Sequence, residues 1–144
     1  MASSRIERPP ARPWSGSPSR QRVLRWALLA DAALTVANAV AYLVAADALD
    51  SLLRLPSALL RGVGAFLAAY ALIVWFIATR PAPPPLAVRA VAAGNSLWAV
   101  ASVILAAAGW FTPSDTGTAW IVLQAATVAG FALVQWRCRP AAHR

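Results

Sequence analysis

Lysine is absent from this chain, and cysteine and histidine occur once each, as Cys138 and His143. Acids are almost as scarce, with five carboxylates against thirteen arginines and a net charge of +8. Each shortage excludes a chemistry. One cysteine cannot close an internal disulfide or run a dithiol redox cycle. No apolar stretch contains a histidine, so a haem held between helices would lack that axial ligand. The apolar stretches contain one acid between them, Asp31, which excludes a paired-carboxylate acid–base device and a His/Cys/carboxylate metal cluster. The "RGVG" at 61–64 lies at the start of an apolar run and reads as a helix-packing feature, not a phosphate cradle. Neither an enzyme, a cofactor nor a metal is expected. Charged residues make up 12% of the chain and hydrophobic ones 60%. An ordinary soluble domain carries about 25% charge, so too little wetted surface is available here for a soluble fold.

The apolar residues fall in four stretches, 26–46, 58–79, 86–108 and 117–136. Each has about 20 residues, the length that crosses roughly 30 Å of hydrocarbon at about 1.5 Å per residue. The expected fold class is all-α, a four-span transmembrane helix bundle. Residues 1–22, rich in Pro, Ser and Arg, form a leader expected to be disordered. Residues 23–139 form the membrane domain, and 140–144 a short tail. A basic leader before an apolar run resembles a secretory signal, but the first stretch is longer than the roughly 7–15 apolar residues of such signals. "SRQRVLRW" also lacks the adjacent arginine pair of a twin-arginine signal. The first stretch is therefore expected to stay as a span.

The arginines set an orientation. Eleven of the thirteen lie in the leader and the start of the first stretch, in the 80–89 segment, or after Trp136. Only Arg54 and Arg61 fall on the other side, with Asp47, Asp50 and Asp115. This positive-inside pattern places both termini in the cytoplasm. An all-arginine basic set with abundant Ala and Pro suggests a GC-rich bacterial genome, hence the bacterial inner membrane. Because the charges sit at span boundaries, the expected partner is the bilayer and not nucleic acid. A second copy or another membrane protein is the expected protein partner. Cys138, between Arg137 and Arg139, reads as a juxtamembrane bystander.

The connections are short and imply antiparallel neighbours. Residues 47–57 form a loop ending in "LPS", where Ser57 is placed to cap the second span. The "RPAPPP" of 80–85 cannot continue a helix and divides the chain into halves. "GWFTPSDTG" turns through Gly109 and Pro113, with Ser114 or Asp115 starting the last span. Trp26, Trp110, Phe111, Trp120 and Trp136 fall near boundaries, where amphipathic rings prefer to sit. At a spacing of 64 residues Arg25 matches Arg89, Asp31 matches Asn95 and Asn38 matches Ser102. Such a repeat gives two parallel two-helix halves.

Polar residues inside the spans are the candidate site. Asp31, Thr35, Asn38 and Tyr42 are spaced i, i+4, i+7 and i+11, one narrow stripe of a helix. A charged Asp at mid-span costs about 2.5–3.5 kcal/mol on insertion scales, so the stripe is expected to face the bundle. Asp31 follows Arg25 by six residues, which puts it toward the arginine-rich face. The third span has Asn95, Trp98 and Ser102, and the fourth Gln124, Thr127 and Gln135. The second span offers two small-xxx-small ridges, Gly64 with Ala68 and Ala65 with Ala69. A structural reading has Asp31, Asn38, Asn95 and Gln124 fixing helix rotation and register. A functional reading makes Asp31 an ionisable group that holds a proton or cation in a cavity, with Asn38, Asn95, Trp98 and Gln124 as binding residues.

"LRLPSALLRGVGAFLAAYALIVW", the Pro-rich linker and "AVAAGNSLWAVASVILAAAG" resemble small uncharacterised four-helix membrane proteins of GC-rich bacteria. The shared pattern is an Asp early in the first span, an "LRGVG"-like start to the second, and Asn-x-x-Trp in the third. It covers residues 25–137. The resemblance implies the four-span layout and carries no activity with it. A looser likeness is to small multidrug-resistance exporters, which carry a Glu deep in the first span where this chain has Asp31. The leading expectation is a structural or accessory membrane component. A small-solute or cation exporter acting as a dimer comes second, and a lipid- or quinone-linked enzyme third.

Overall fold

Ser17 caps the first helix, its hydroxyl accepting from the N–H of Arg20 at 3.5 Å, and Pro18 takes the first helical position. Proline suits that place because its missing N–H would have no partner there anyway. Helix α1 therefore runs Pro18–Val44 and begins inside the stretch read as a leader. The computed structural model describes residues 17–109 and 111–139, so the rest of the leader, Trp110 and the 140–144 tail lie outside the described residues. Four more helices follow: α2 Ala46–Leu53, α3 Ser57–Thr79, α4 Pro85–Ala108 and α5 Asp115–Cys138. No strand occurs among the described residues. Helices α1, α3, α4 and α5 are each long and apolar enough to cross a membrane. The protein is an all-α bundle with four span-length helices.

The short α2 replaces the expected 47–57 loop. Its Ala46 and Leu53 are buried and Leu49 packs beside them, while Asp47 points to solvent and pairs with Arg61 at 2.7 Å. Spacing of i, i+3 and i+7 carries that inner face, enough for two turns. Ser57 is also placed differently. It is the first residue of α3 and not its cap, and its N–H donates to the Asp50 carboxylate at 3.0 Å. Asp50 thus satisfies a helix-start donor from the preceding element.

The last helix begins as expected. Ser114 caps α5 by accepting from the Gly117 N–H at 3.0 Å. The same residue ties down the end of α2, its N–H donating to the Leu53 carbonyl at 3.0 Å and its hydroxyl to the Leu52 carbonyl at 2.7 Å. Gly109 ends α4 with φ +66°, a left-handed conformation that glycine adopts without a Cβ penalty.

Helix α1 packs along α3, α4 packs along α5, and α1 also meets α5; α3 and α4 touch least. The two hairpins thus form a square whose α3–α4 side is loose. On α3 the buried face repeats as Leu60, Gly64, Leu67, Ala71, Val74 and Ala78. A Cβ at Gly64 would lie 3.0 Å from Tyr42 Cβ and 3.2 Å from the Ala39 carbonyl, so glycine permits the close α1–α3 approach. Of the two small-residue ridges, Gly64 and Ala68 face inward and Ala65 and Ala69 are exposed. Apolar packing forms two blocks. Leu24, Leu28, Val74, Ile77 and Val88 fill the arginine-rich end, and Tyr42, Leu53, Leu60, Leu67 and Ile121 the opposite end.

Candidate functional site

Between the two apolar blocks the four span-length helices each send a polar side chain to one point. Asp31 of α1, Asn95 of α4 and Gln135 of α5 are 2%, 3% and 0% exposed. Asn95 Nδ2 donates to Asp31 Oδ2 at 2.6 Å and Gln135 Nε2 to the same oxygen at 2.8 Å. Asn95 Nδ2 also reaches Gln135 Oε1 at 3.1 Å, which closes the triad. Tyr70 of α3 donates its phenol to Asn95 Oδ1 at 2.9 Å and lies 3.2 Å from the Val91 carbonyl. Thr35, one turn beyond Asp31, places its hydroxyl beside the same carboxylate. Among the described residues the one ion pair joins Asp47 to Arg61, so Asp31 is held by neutral donors alone. Asp31 is six residues from Arg25, Asn95 six from Arg89 and Gln135 two from Arg137. At about 1.5 Å per residue the triad lies within roughly 9 Å of the arginine level.

A second polar cluster lies toward the other end. Tyr42 accepts from Trp120 Nε1 at 2.9 Å and from Gln124 Nε2 at 2.7 Å, which joins α1 to α5. Back at the level of the triad, Trp136 Nε1 donates to Ser96 Oγ at 3.2 Å and joins α5 to α4. Asn38 sits between the two clusters. It is half-buried, makes no hydrogen bond among the described residues, and lines a cavity on either side.

The larger of these cavities, about 300 Å³, enters through the loose α3–α4 side and is walled by Phe66, Tyr70, Leu97 and Trp98, with Asn38, Asn95 and Gln124 behind. The smaller, about 140 Å³, lies between α1 and α5 and is lined by Asp31, Thr35, Asn38 and Gln124. A third, about 390 Å³, continues the α3–α4 opening toward α2 and shares Trp98, Ala101 and Gln124 with the first. Phe66 stacks on Trp98 with centroids 5.9 Å apart and on Tyr70 at 6.2 Å, so three rings form a ladder along the opening.

No protein family, characterised protein or solved structure is found to match this chain. The site must speak for itself.

The sequence pattern named Asp31, Asn38, Asn95, Trp98 and Gln124. The structure brings Asn38, Asn95, Trp98 and Gln124 to one cavity, and places Asp31 behind Asn95 on the wall of the neighbouring one. Helix rotation on α1 follows the stripe, with Asp31 and Tyr42 buried and Thr35 and Asn38 half-buried. Three contributors were not singled out from the sequence as site residues. Tyr70 sits in a run that reads as small-residue packing. Gln135 lies one turn from the end of α5, and Phe66 lies in an apolar run. Thr127, grouped with the polar residues of the last span, faces outward and bonds the Leu123 carbonyl of its own helix. Chemically the arrangement offers one carboxylate, four primary amides (Asn38, Asn95, Gln124 and Gln135) and two phenols. It can hold a proton or cation at Asp31, and it can hydrogen-bond an uncharged group at Asn38.

Proposed function

We propose that this chain is a structural or accessory component of the bacterial inner membrane, with both termini in the cytoplasm, in which Asp31 locks the four spans together. The observation that supports this is the closed triad. Both amides that reach Asp31 also bond each other, and Tyr70 from the remaining helix fixes Asn95. A carboxylate used in this way sets helix register, because sliding α1, α4 or α5 breaks bonds to two other spans, and sliding α3 breaks the Tyr70 bonds to α4. Removing Asp31 therefore acts first on folding and only then on any task the folded protein performs.

A second reading, a small-solute or cation exporter acting as a dimer, draws on a separate observation. Asn38 has no partner among the described residues, and Asp31 lines the cavity on one side of it. Four helices of this length rarely enclose a complete path, so pairing belongs to that reading. Growth of an overexpressing strain across a panel of cationic toxicants separates the two. Under the structural reading, wild type, Asp31→Asn and Asn38→Ala confer no resistance. Resistance conferred by wild type and lost in both variants, at equal protein levels, would establish the exporter.

A further inference from the structure

The opening between α3 and α4 has the walls of a ligand site and not of a packing defect. Its two lobes, about 300 and 390 Å³, meet at Trp98 and Ala101. Pockets for small molecules typically begin at about 300 Å³. Phe66 and Leu97 at its mouth are 56% and 70% exposed on span-length helices, so the entrance faces hydrocarbon and an occupant arrives through the bilayer. No charged side chain lines either lobe, which excludes a phosphate or ammonium head. What the inner lobe does present is the Asn38 amide without a partner among the described residues, and Gln124, one of whose two Nε2 hydrogens goes to Tyr42. An unbonded amide in an apolar wall favours a ligand that carries an uncharged hydrogen-bonding group, such as a carbonyl to accept from its Nδ2. The Tyr70–Phe66–Trp98 ladder adds nearly parallel ring faces, with interplanar angles of 16° and 10°, against which a flat head can lie. The outer lobe, walled by Leu55, Leu59, Leu60, Val63, Ile104 and Leu105, is suited to an aliphatic tail.

We infer that the α3–α4 cleft binds a quinone-type amphiphile, a flat carbonyl-bearing ring on an apolar tail, with Asn38 Nδ2 donating to a ring carbonyl. The ring occupies the lobe behind Phe66 and Trp98, and the tail runs along the outer lobe. The cleft borders the triad through Asn95 and Tyr70, takes its donor from Asn38, and involves no covalent step.

Native mass spectrometry of the full-length protein released from micelles, with decylubiquinone as the probe, tests this. One decylubiquinone per chain is expected, with decanol and phosphatidylglycerol failing to displace it at equal concentration. Asn38→Leu, which removes the donor at similar volume, is expected to weaken binding at least tenfold. Ala101→Trp, which fills the junction of the lobes, is expected to abolish it, while Ala69→Trp on the exposed face of α3 leaves it unchanged. Displacement by decanol would show a tail groove without a ring site and overturn the inference. So would displacement by phosphatidylglycerol, equal uptake by wild type and Asn38→Leu, or a dimer that excludes the probe. The decanol and phosphatidylglycerol arms use wild type alone, so the inference stays exposed to disproof even where a variant misfolds.

Discussion

Asp31 can be separated from its charge, because the oxygen that Asn95 and Gln135 use exists in asparagine as well. Asp31→Asn keeps an acceptor at the position of Oδ2 and is expected to melt in detergent close to wild type. Asp31→Leu leaves both amides without their acceptor and is expected to lose about 1–3 kcal/mol, read from the same thermal or denaturant melts. Tyr70→Phe deletes only the phenol that holds Asn95 and is expected to lose about 0.5–1.5 kcal/mol. A Tyr70→Phe protein as weak as Asp31→Leu would show that the triad does not stand on its own. The α1 stripe was legible in the sequence because four polar residues at helical spacing in an apolar run share one cheap orientation. Tyr70 was not, since a single polar residue defines no face; Gln135 was grouped with Gln124 and Thr127, but periodicity says nothing about which neighbouring helix it meets.

Glycines on two helices give opposite expectations at the scale of the element. Around Gly62 a Cβ meets nothing within 4 Å, so Gly62→Ala is expected to stabilise α3 by up to about 1 kcal/mol through helix propensity alone. At Gly117 an added Cβ would run into the Leu53 carbonyl, in the place where α2 ends against the first turn of α5. Gly117→Ala is expected to cost about 1–3 kcal/mol by overpacking and to loosen α2. Hydrogen exchange that speeds up over 46–53 while α3 stays protected would mark that local release, and unchanged exchange there would argue against it. The long helices were legible because apolar runs of about 20 residues between Pro and Gly breaks have one reading. Helix α2 was not, because its first residue follows Val44 with only Ala45 between and its two acids resemble a solvated loop. The role of Ser57 was misjudged for a related reason, since the capping carboxylate of Asp50 comes from seven residues upstream.

The arrangement of the whole molecule rests on which helices touch, and this was the least legible level. Short loops imply antiparallel neighbours at each connection, yet the shortest between spans, 80–84, joins α3 and α4, the pair that touches least, and nothing in their residues announces that this side stays loose. Asp31 and Asn95, matched at the 64-residue spacing, bond each other directly. Orientation is testable with reporter fusions. Those after Ser51 and Thr116 are expected to read as periplasmic and those after Pro83 and Ala141 as cytoplasmic, and a single reversed loop would break the proposed topology. The order in which the triad is completed bears on biogenesis. Asp31 enters the membrane with the first span, Asn95 follows with α4, and Gln135 emerges only near the end of α5. During synthesis the acid therefore waits for a partner encoded more than a hundred residues downstream, 104 away. A chain cut after Gly130 retains most of its hydrophobic length yet presents an incompletely bonded acid within the bilayer. Pulse-chase labelling is expected to show that such a fragment is cleared faster than the full chain, and that Gln135→Leu in the full chain shortens its lifetime in the same direction. On this view the acid in the first helix marks an unfinished protein for disposal.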